Sequence, residues 1–256
     1  MRLAYDDDGT GMPVVLLHGL TATRRYVVMG SKTLERSGHR VIAPDARGHG
    51  ESPPGDRYDY PSLAADVIEL LDRLDVEHAV FAGASMGAHT LTRLALDHPD
   101  RVLGMVIATP AYDPDRDAVD LGRWDRLSAG LRTGGVDGFL AAYGRPPVPD
   151  AWQETVQTVL RQRLSRHRHP EAVADALQQV PRSRPFAAWT DLHALDLPVI
   201  VVADRDDVDP EHPLAVGERW AAEIPEARLV VEEPGKSPIA WQGGQLSKVI
   251  AEVAAQ

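Results

Sequence analysis

The stretch Phe81-Ala82-Gly83-Ala84-Ser85-Met86-Gly87-Ala88-His89 carries the most specific chemical pattern in the chain. An apolar run leads into Gly-x-Ser-x-Gly. A helical pattern with Leu91, Leu94 and Ala95 on its apolar side follows, and Asp97-His98-Pro99 stops it. Such a strand-to-helix turn is so tight that a side chain at position 83 or 87 would collide with neighbouring backbone, so both positions require glycine. The turn should lift the Ser85 hydroxyl above the sheet, at the positive end of the next helix. That position favours the negative charge that develops during acyl transfer. The chain has no cysteine, which excludes disulfides, thiolate metal sites and a cysteine nucleophile.

The elements that must hold this turn are legible around it. Short apolar runs recur at Pro13 to Leu17, Arg40 to Ala43, Ala79 to Ala82, Val102 to Ala108, Val199 to Ala203 and Leu229 to Val231. Their unbroken hydrophobicity predicts strands covered on both faces, hence a largely parallel sheet. Between them lie helical patterns. After Pro61, with Ser62 as the expected N-cap, apolar residues fall at Leu63, Val67, Leu70, Leu71 and Leu74, the one-sided period of a helix packed on a sheet. Strand and helix alternate as in an α/β fold.

The alternation stops between about Ala111 and Asp196, where helical candidates follow one another at Leu121 to Leu131, Val136 to Tyr143, Ala151 to Ser165 and Glu171 to Val180. An all-helical insertion between two strands reads as a lid over the carboxyl ends of the strands, where open α/β sheets hold their ligands. Its Trp124, Phe139, Trp152, Phe186 and Trp189 are expected to hold the small subdomain together, with a few lining an apolar pocket. The basic run from Arg161 to His169 is expected to be the solvated end of a helix.

At 256 residues the chain fits one domain, with a core at 1–110 and 197–256 and the lid at about 111–196. Its 27 Lys and Arg against 38 Asp and Glu give a net charge of −11, which argues against nucleic acid as a partner. No apolar run has signal-peptide or membrane-span length, and the expected location is the cytoplasm. The sequence is silent on oligomeric state.

Two further motifs complete the pattern: Leu16-Leu17-His18-Gly19-Leu20-Thr21 at one strand end, and Asp45-Ala46-Arg47-Gly48-His49-Gly50-Glu51-Ser52 after the next. With these the chain resembles the α/β-hydrolase superfamily over nearly its whole length, in the lid-bearing esterase, lactonase and haloperoxidase-like branch. The resemblance implies that Ser85 is the nucleophile and that the backbone N–H groups of Leu20 and Met86 form the oxyanion hole. It gives His18 and His49 loop-shaping roles and calls for no metal and no cofactor. The family's acid follows the strand after the lid, where Asp204, Asp206, Asp207 and Asp209 crowd together. Asp206 best matches the spacing and Asp207 is the second candidate.

The family's base histidine follows the last strand, and there the chain reads Pro234-Gly235-Lys236-Ser237-Pro238, with Lys236 in the histidine's place. A lysine of ordinary pKa is only about 0.1% neutral near pH 7. Three accounts are compatible with this. Lys236 could be a base of depressed pKa. Another histidine, His89 or His212, could substitute. Or Lys236 and Asp206 could form a salt bridge that impairs serine activation. The expected function is hydrolysis of a small apolar ester, lactone or thioester through Ser85 with a non-standard or impaired base. The alternative is a non-hydrolytic, ligand-binding protein on the same fold, with the Lys236–Asp206 bridge replacing the triad.

Overall fold

The computed structural model describes residues 1–116 and 121–256. A seven-stranded sheet forms its centre, made of β1 (Tyr5–Asp8), β2 (Met12–Leu17), β3 (His39–Pro44), β4 (Ala79–Ala84), β5 (Val102–Ala108), β6 (Val199–Ala203) and β7 (Arg228–Val231). The order across the sheet is β1-β3-β2-β4-β5-β6-β7, and every pairing is parallel except that of β1 with β3. The strands with unbroken apolar runs, β4, β5 and β6, lie in the interior of that order, almost wholly buried. Side-chain alternation sends Val15, Leu17, Phe81 and Ile107 to one face and Val14, Leu16, Val80 and Val106 to the other, giving two separate apolar cores.

Helices cover both faces. The described helices are α1 (Thr33–Arg36), α2 (Tyr60–Arg73), α3 (Met86–Asp97), α4 (Leu121–Tyr143), α5 (Asp150–Leu164), α6 (Pro170–Gln179), α7 (Leu214–Glu223) and α8 (Gly243–Ala254). The first core takes in Leu70, Leu71, Leu91 and Leu94 from α2 and α3 and Trp220 from α7. Leu246, Ile250 and Val253 of α8 pack into the second. The N-cap of α2 is Asp59 and not Ser62: the Asp59 carboxylate accepts the Ser62 N–H at 2.8 Å, and Pro61 is tolerated in the first turn, where its missing N–H costs no helical bond.

Between β5 and β6 the chain contains no strand among its described residues. There α4, α5 and α6 are followed by 3₁₀ turns; of the segment expected as the helical insertion at about 111–196, residues 117–120 lie outside the described residues. The helix α4 is broken at Gly135, whose φ of 58° is open to glycine. Its two halves correspond to the two patterns at Leu121 to Leu131 and Val136 to Tyr143. The insertion has its own core, with Leu127, Leu131, Phe139, Leu164, Val173 and Leu177 packed against Leu20 and Met86 of the sheet's connecting segments. Its basic run is not wholly solvated. The His167 ring is half-buried against core loops, accepting the Gly50 N–H at Nδ1 (2.9 Å) and reaching the Thr21 carbonyl from Nε2 (3.2 Å). Among the described residues no helix is long and apolar enough to cross a membrane.

Candidate active site

Ser85 joins β4 to α3 with φ 52° and ψ −113°, backbone angles that a serine adopts only at a cost. Its N–H donates to the Ala108 carbonyl (3.0 Å), and its own carbonyl accepts from His89 N–H (3.0 Å), so the strained turn is pinned on both sides. The flanking glycines are obligatory. A Cβ on Gly83 would stand 2.4 Å from the Gly87 backbone, and one on Gly87 would stand 2.0 Å from the Leu17 carbonyl oxygen. The hydroxyl emerges at the start of α3, where unpaired amides and the helix dipole favour negative charge.

Facing it is His212, from the loop between β6 and α7. Its Nε2 lies 3.0 Å from Ser85 Oγ, and its Nδ1 lies 2.9 Å from Asp209 Oδ2. A tight turn sets this geometry: the Val208 and Asp209 amides both donate to the Arg205 carbonyl, and the His212 amide donates to the Asp209 carbonyl. Burial alone would depress the imidazole's pKa. Asp209, with Glu211 and Asp204 behind it, outweighs that and pushes His212 up to about 9. The Asp209 carboxyl, though burial opposes its charge, is held below the usual carboxylate range by His212. Burial and the charges of Asp209 and Glu232 raise Asp204 well above that range. Among the described residues neither Asp204 oxygen has a hydrogen-bond partner.

The expected acid and base stand elsewhere. Lys236 is exposed in a turn closed by its own N–H to the Glu233 carbonyl, and among the described residues it pairs with neither Asp206 nor Ser85. The Lys236–Asp206 bridge is therefore not formed. Asp206 is exposed and its carboxylate accepts the Leu214 N–H at 2.7 Å, closing the loop at the start of α7; Asp207 is exposed as well. His89 is buried with both ring nitrogens engaged. Its Nε2 accepts the Ala111 and Tyr112 amides, its Nδ1 faces the Tyr60 hydroxyl, and burial with the nearby His212 lowers it to about 3. Of the two substitute histidines, only His212 touches the serine. Asp209 escaped sequence reasoning because it was one of four aspartates in six residues; its place three residues before a histidine, across Pro210, was the available signal.

Leu20 and Met86 are both buried and share one apolar cluster. The Gly19 carbonyl accepts from His18 Nδ1 (2.8 Å) and from the Ala22 amide (2.9 Å). In a trans peptide this fixes the Leu20 N–H in the opposite direction, and that N–H has no acceptor among the described residues. His18 Nε2 accepts the Ala46 amide, so the ring is locked in one tautomer, and burial and the neighbouring His49 depress its pKa to about 3. His49 Nε2 in turn sits 2.6 Å from the Leu20 carbonyl. Both histidines thus order loops, and neither is near enough to bond Ser85. Among the described residues no cluster of side chains could hold a metal.

A strand–serine–helix turn, a histidine–carboxylate pair against the hydroxyl and a parallel sheet with a helical insertion define a class of protein, and comparison with known proteins agrees. The chain belongs to the α/β-hydrolase fold family, whose model matches residues 12–191. It is 37% identical over 103 residues to the sn-1-specific diacylglycerol lipase ABHD11 of Xenopus laevis, a match covering 40% of this chain and 33% of that protein. The aligned region is thus only about a third of that relative's length. It is 27% identical to the non-heme chloroperoxidase CPO-A1 of Kitasatospora aureofaciens over 97% of this chain and 93% of that one. Among solved structures, a thermophilic esterase from Thermogutta terrifontis (malate bound) superposes with a TM-score of 0.81 at 28% identity, covering 99% of this chain and 93% of that one. The enol-lactonase from Burkholderia xenovorans LB400 gives 0.81 at 23%, over 99% and 96%, a likeness of fold alone.

Proposed function

We propose that the protein is a cofactor-independent serine hydrolase of ester-type bonds, working through Ser85, His212 and Asp209. The observation that carries this is the 3.0 Å contact of His212 Nε2 with Ser85 Oγ, backed by Asp209 at 2.9 Å on the other ring nitrogen. Neutral His212 takes the serine proton as Oγ bonds to the substrate's carbonyl carbon, and the oxyanion turns to the Leu20 and Met86 N–H groups. The imidazolium returns the proton to the departing alcohol or thiol. Water then repeats the sequence on the acyl-serine, releasing the acid and restoring Ser85. The helical insertion forms the lid over this centre.

The impairment expected from Lys236 has another origin in this reading. With its pKa near 9, only about 1% of His212 is neutral at pH 7. The relay is complete but mostly protonated at rest. The ligand-binding alternative was built on a Lys236–Asp206 bridge, and those two side chains are apart. Labelling with a fluorophosphonate probe is the test: stoichiometric modification of Ser85, faster at pH 9 than at pH 7, is expected. Absence of labelling at both values would remove the serine from the chemistry.

A further inference from the structure

Beside the proposed relay stands a cation with no carboxylate partner among the described residues. Arg163 of α5 belongs to the basic run that sequence reading assigned to solvent, yet its side chain turns inward. A Cβ placed on Gly19 would lie 3.6 Å from Ser85 Cβ and 3.9 Å from Arg163 Nη2, so guanidinium and serine flank the same glycine. Among the described residues Arg163 forms no ion pair or hydrogen bond, and its Nε is buried without an acceptor. Its guanidinium lies 5.8 Å from the centre of the Tyr26 ring, a contact that orients the fork without using its N–H groups. The two acids within its electrostatic reach are committed elsewhere, Asp209 to His212 and Glu211 to Arg123 and the Tyr143 hydroxyl. Ser85, His212 and Arg163 are each half-buried.

A guanidinium nitrogen buried without an acceptor is costly unless something completes it, and the planar fork matches a carboxylate. We propose that Arg163 binds a carboxylate on the substrate, which makes the preferred substrates half-esters or lactones bearing one carboxylate about one to three carbons from the reacting carbonyl. This rests on the serine-hydrolase reading and replaces the small apolar ester expected from sequence with an anionic one. One guanidinium facing the field of two fixed carboxylates favours a monoanion over a doubly charged phosphate. Arg163 is a specificity-determining residue and takes no part in proton transfer.

The test compares monomethyl succinate with dimethyl succinate, which differ by the one charge. The wild-type protein should favour the monoester in kcat/KM, and Arg163→Gln should lower the monoester-to-diester ratio by about 10–100-fold, mostly through KM. Arg163→Lys, keeping charge without the fork, should fall between. A wild-type ratio at or below one, or a ratio unmoved by Arg163→Gln, overturns the proposal, and the wild-type ratio decides even if that variant fails to fold. If neither ester turns over and Ser85 is unlabelled, the hydrolase reading has failed instead. Calorimetric binding to Ser85→Ala protein then decides the Arg163 assignment alone: monomethyl succinate should bind and dimethyl succinate should not, and equal binding of both would overturn it.

Discussion

His212 sits between a serine and an aspartate with hydrogen-bonding distances on both ring nitrogens, and its raised pKa makes its protonation state the variable that governs the site. Removing it as His212→Gln should lower kcat about 10²–10⁴-fold, while Asp209→Asn should lower kcat and move the ascending limb of the pH profile to lower pH, because the carboxylate that raises the imidazole's pKa is gone. Steady-state kinetics on an activated ester checks both. Residue by residue, the sequence displayed Ser85, Leu20 and Met86 through local motifs that any strand-to-helix elbow must carry. It offered His212 only as one of two substitutes, and pointed to Lys236 and Asp206 through positional likeness. Those two belong to exposed loops whose path depends on turn hydrogen bonds, such as Lys236 N–H to Glu233 and Asp206 to Leu214 N–H, which no periodicity encodes.

The elbow depends on two elements approaching with no room for a methyl group. Gly87→Ala would set a carbon 2.0 Å from the Leu17 carbonyl, pushing α3 off β2. It should cost about 1–3 kcal/mol or more in urea unfolding and slow fluorophosphonate labelling of Ser85 even where the chain still folds. Strands β2 to β7 were legible because buried parallel strands must be continuously apolar. β1 was not: its residues, Tyr5, Asp6, Asp7 and Asp8, are all exposed and carry no hydrophobic signal. It is held instead by antiparallel pairing with β3 and by Arg40 gripping Asp7. The helices of the insertion were legible to within a residue or so, since each has an apolar stripe of its own.

Across the whole molecule, the insertion is fastened to the core partly through the half-buried imidazole of His167. His167→Leu leaves the Gly50 N–H and the Thr21 carbonyl unpaired and should cost about 1–3 kcal/mol in urea unfolding. His18 and His89, both buried, and the half-buried His167 have pKa values depressed to about 3 by desolvation, so the unfolded chain binds their protons first as pH falls. Their contribution to stability is present above 6.5 and is lost as pH falls through about 3. His212 acts oppositely, stabilising below 6.5 and losing that contribution as pH rises through about 9. Unfolding midpoints should therefore decline on acidification from neutrality, and His167→Leu should flatten that decline. None of this was visible in the sequence, because burial of a histidine is a property of the assembled loops.

The central claim is that His212, and not Lys236, takes the Ser85 proton. The most direct measurement is kcat/KM against pH for wild type, His212→Gln and Lys236→Met with one activated ester. Wild type and Lys236→Met should coincide within about twofold and rise about tenfold per pH unit toward a limb near 9, while His212→Gln should lose both the rate and the limb. Loss of turnover in Lys236→Met with the rate and limb preserved in His212→Gln would contradict it.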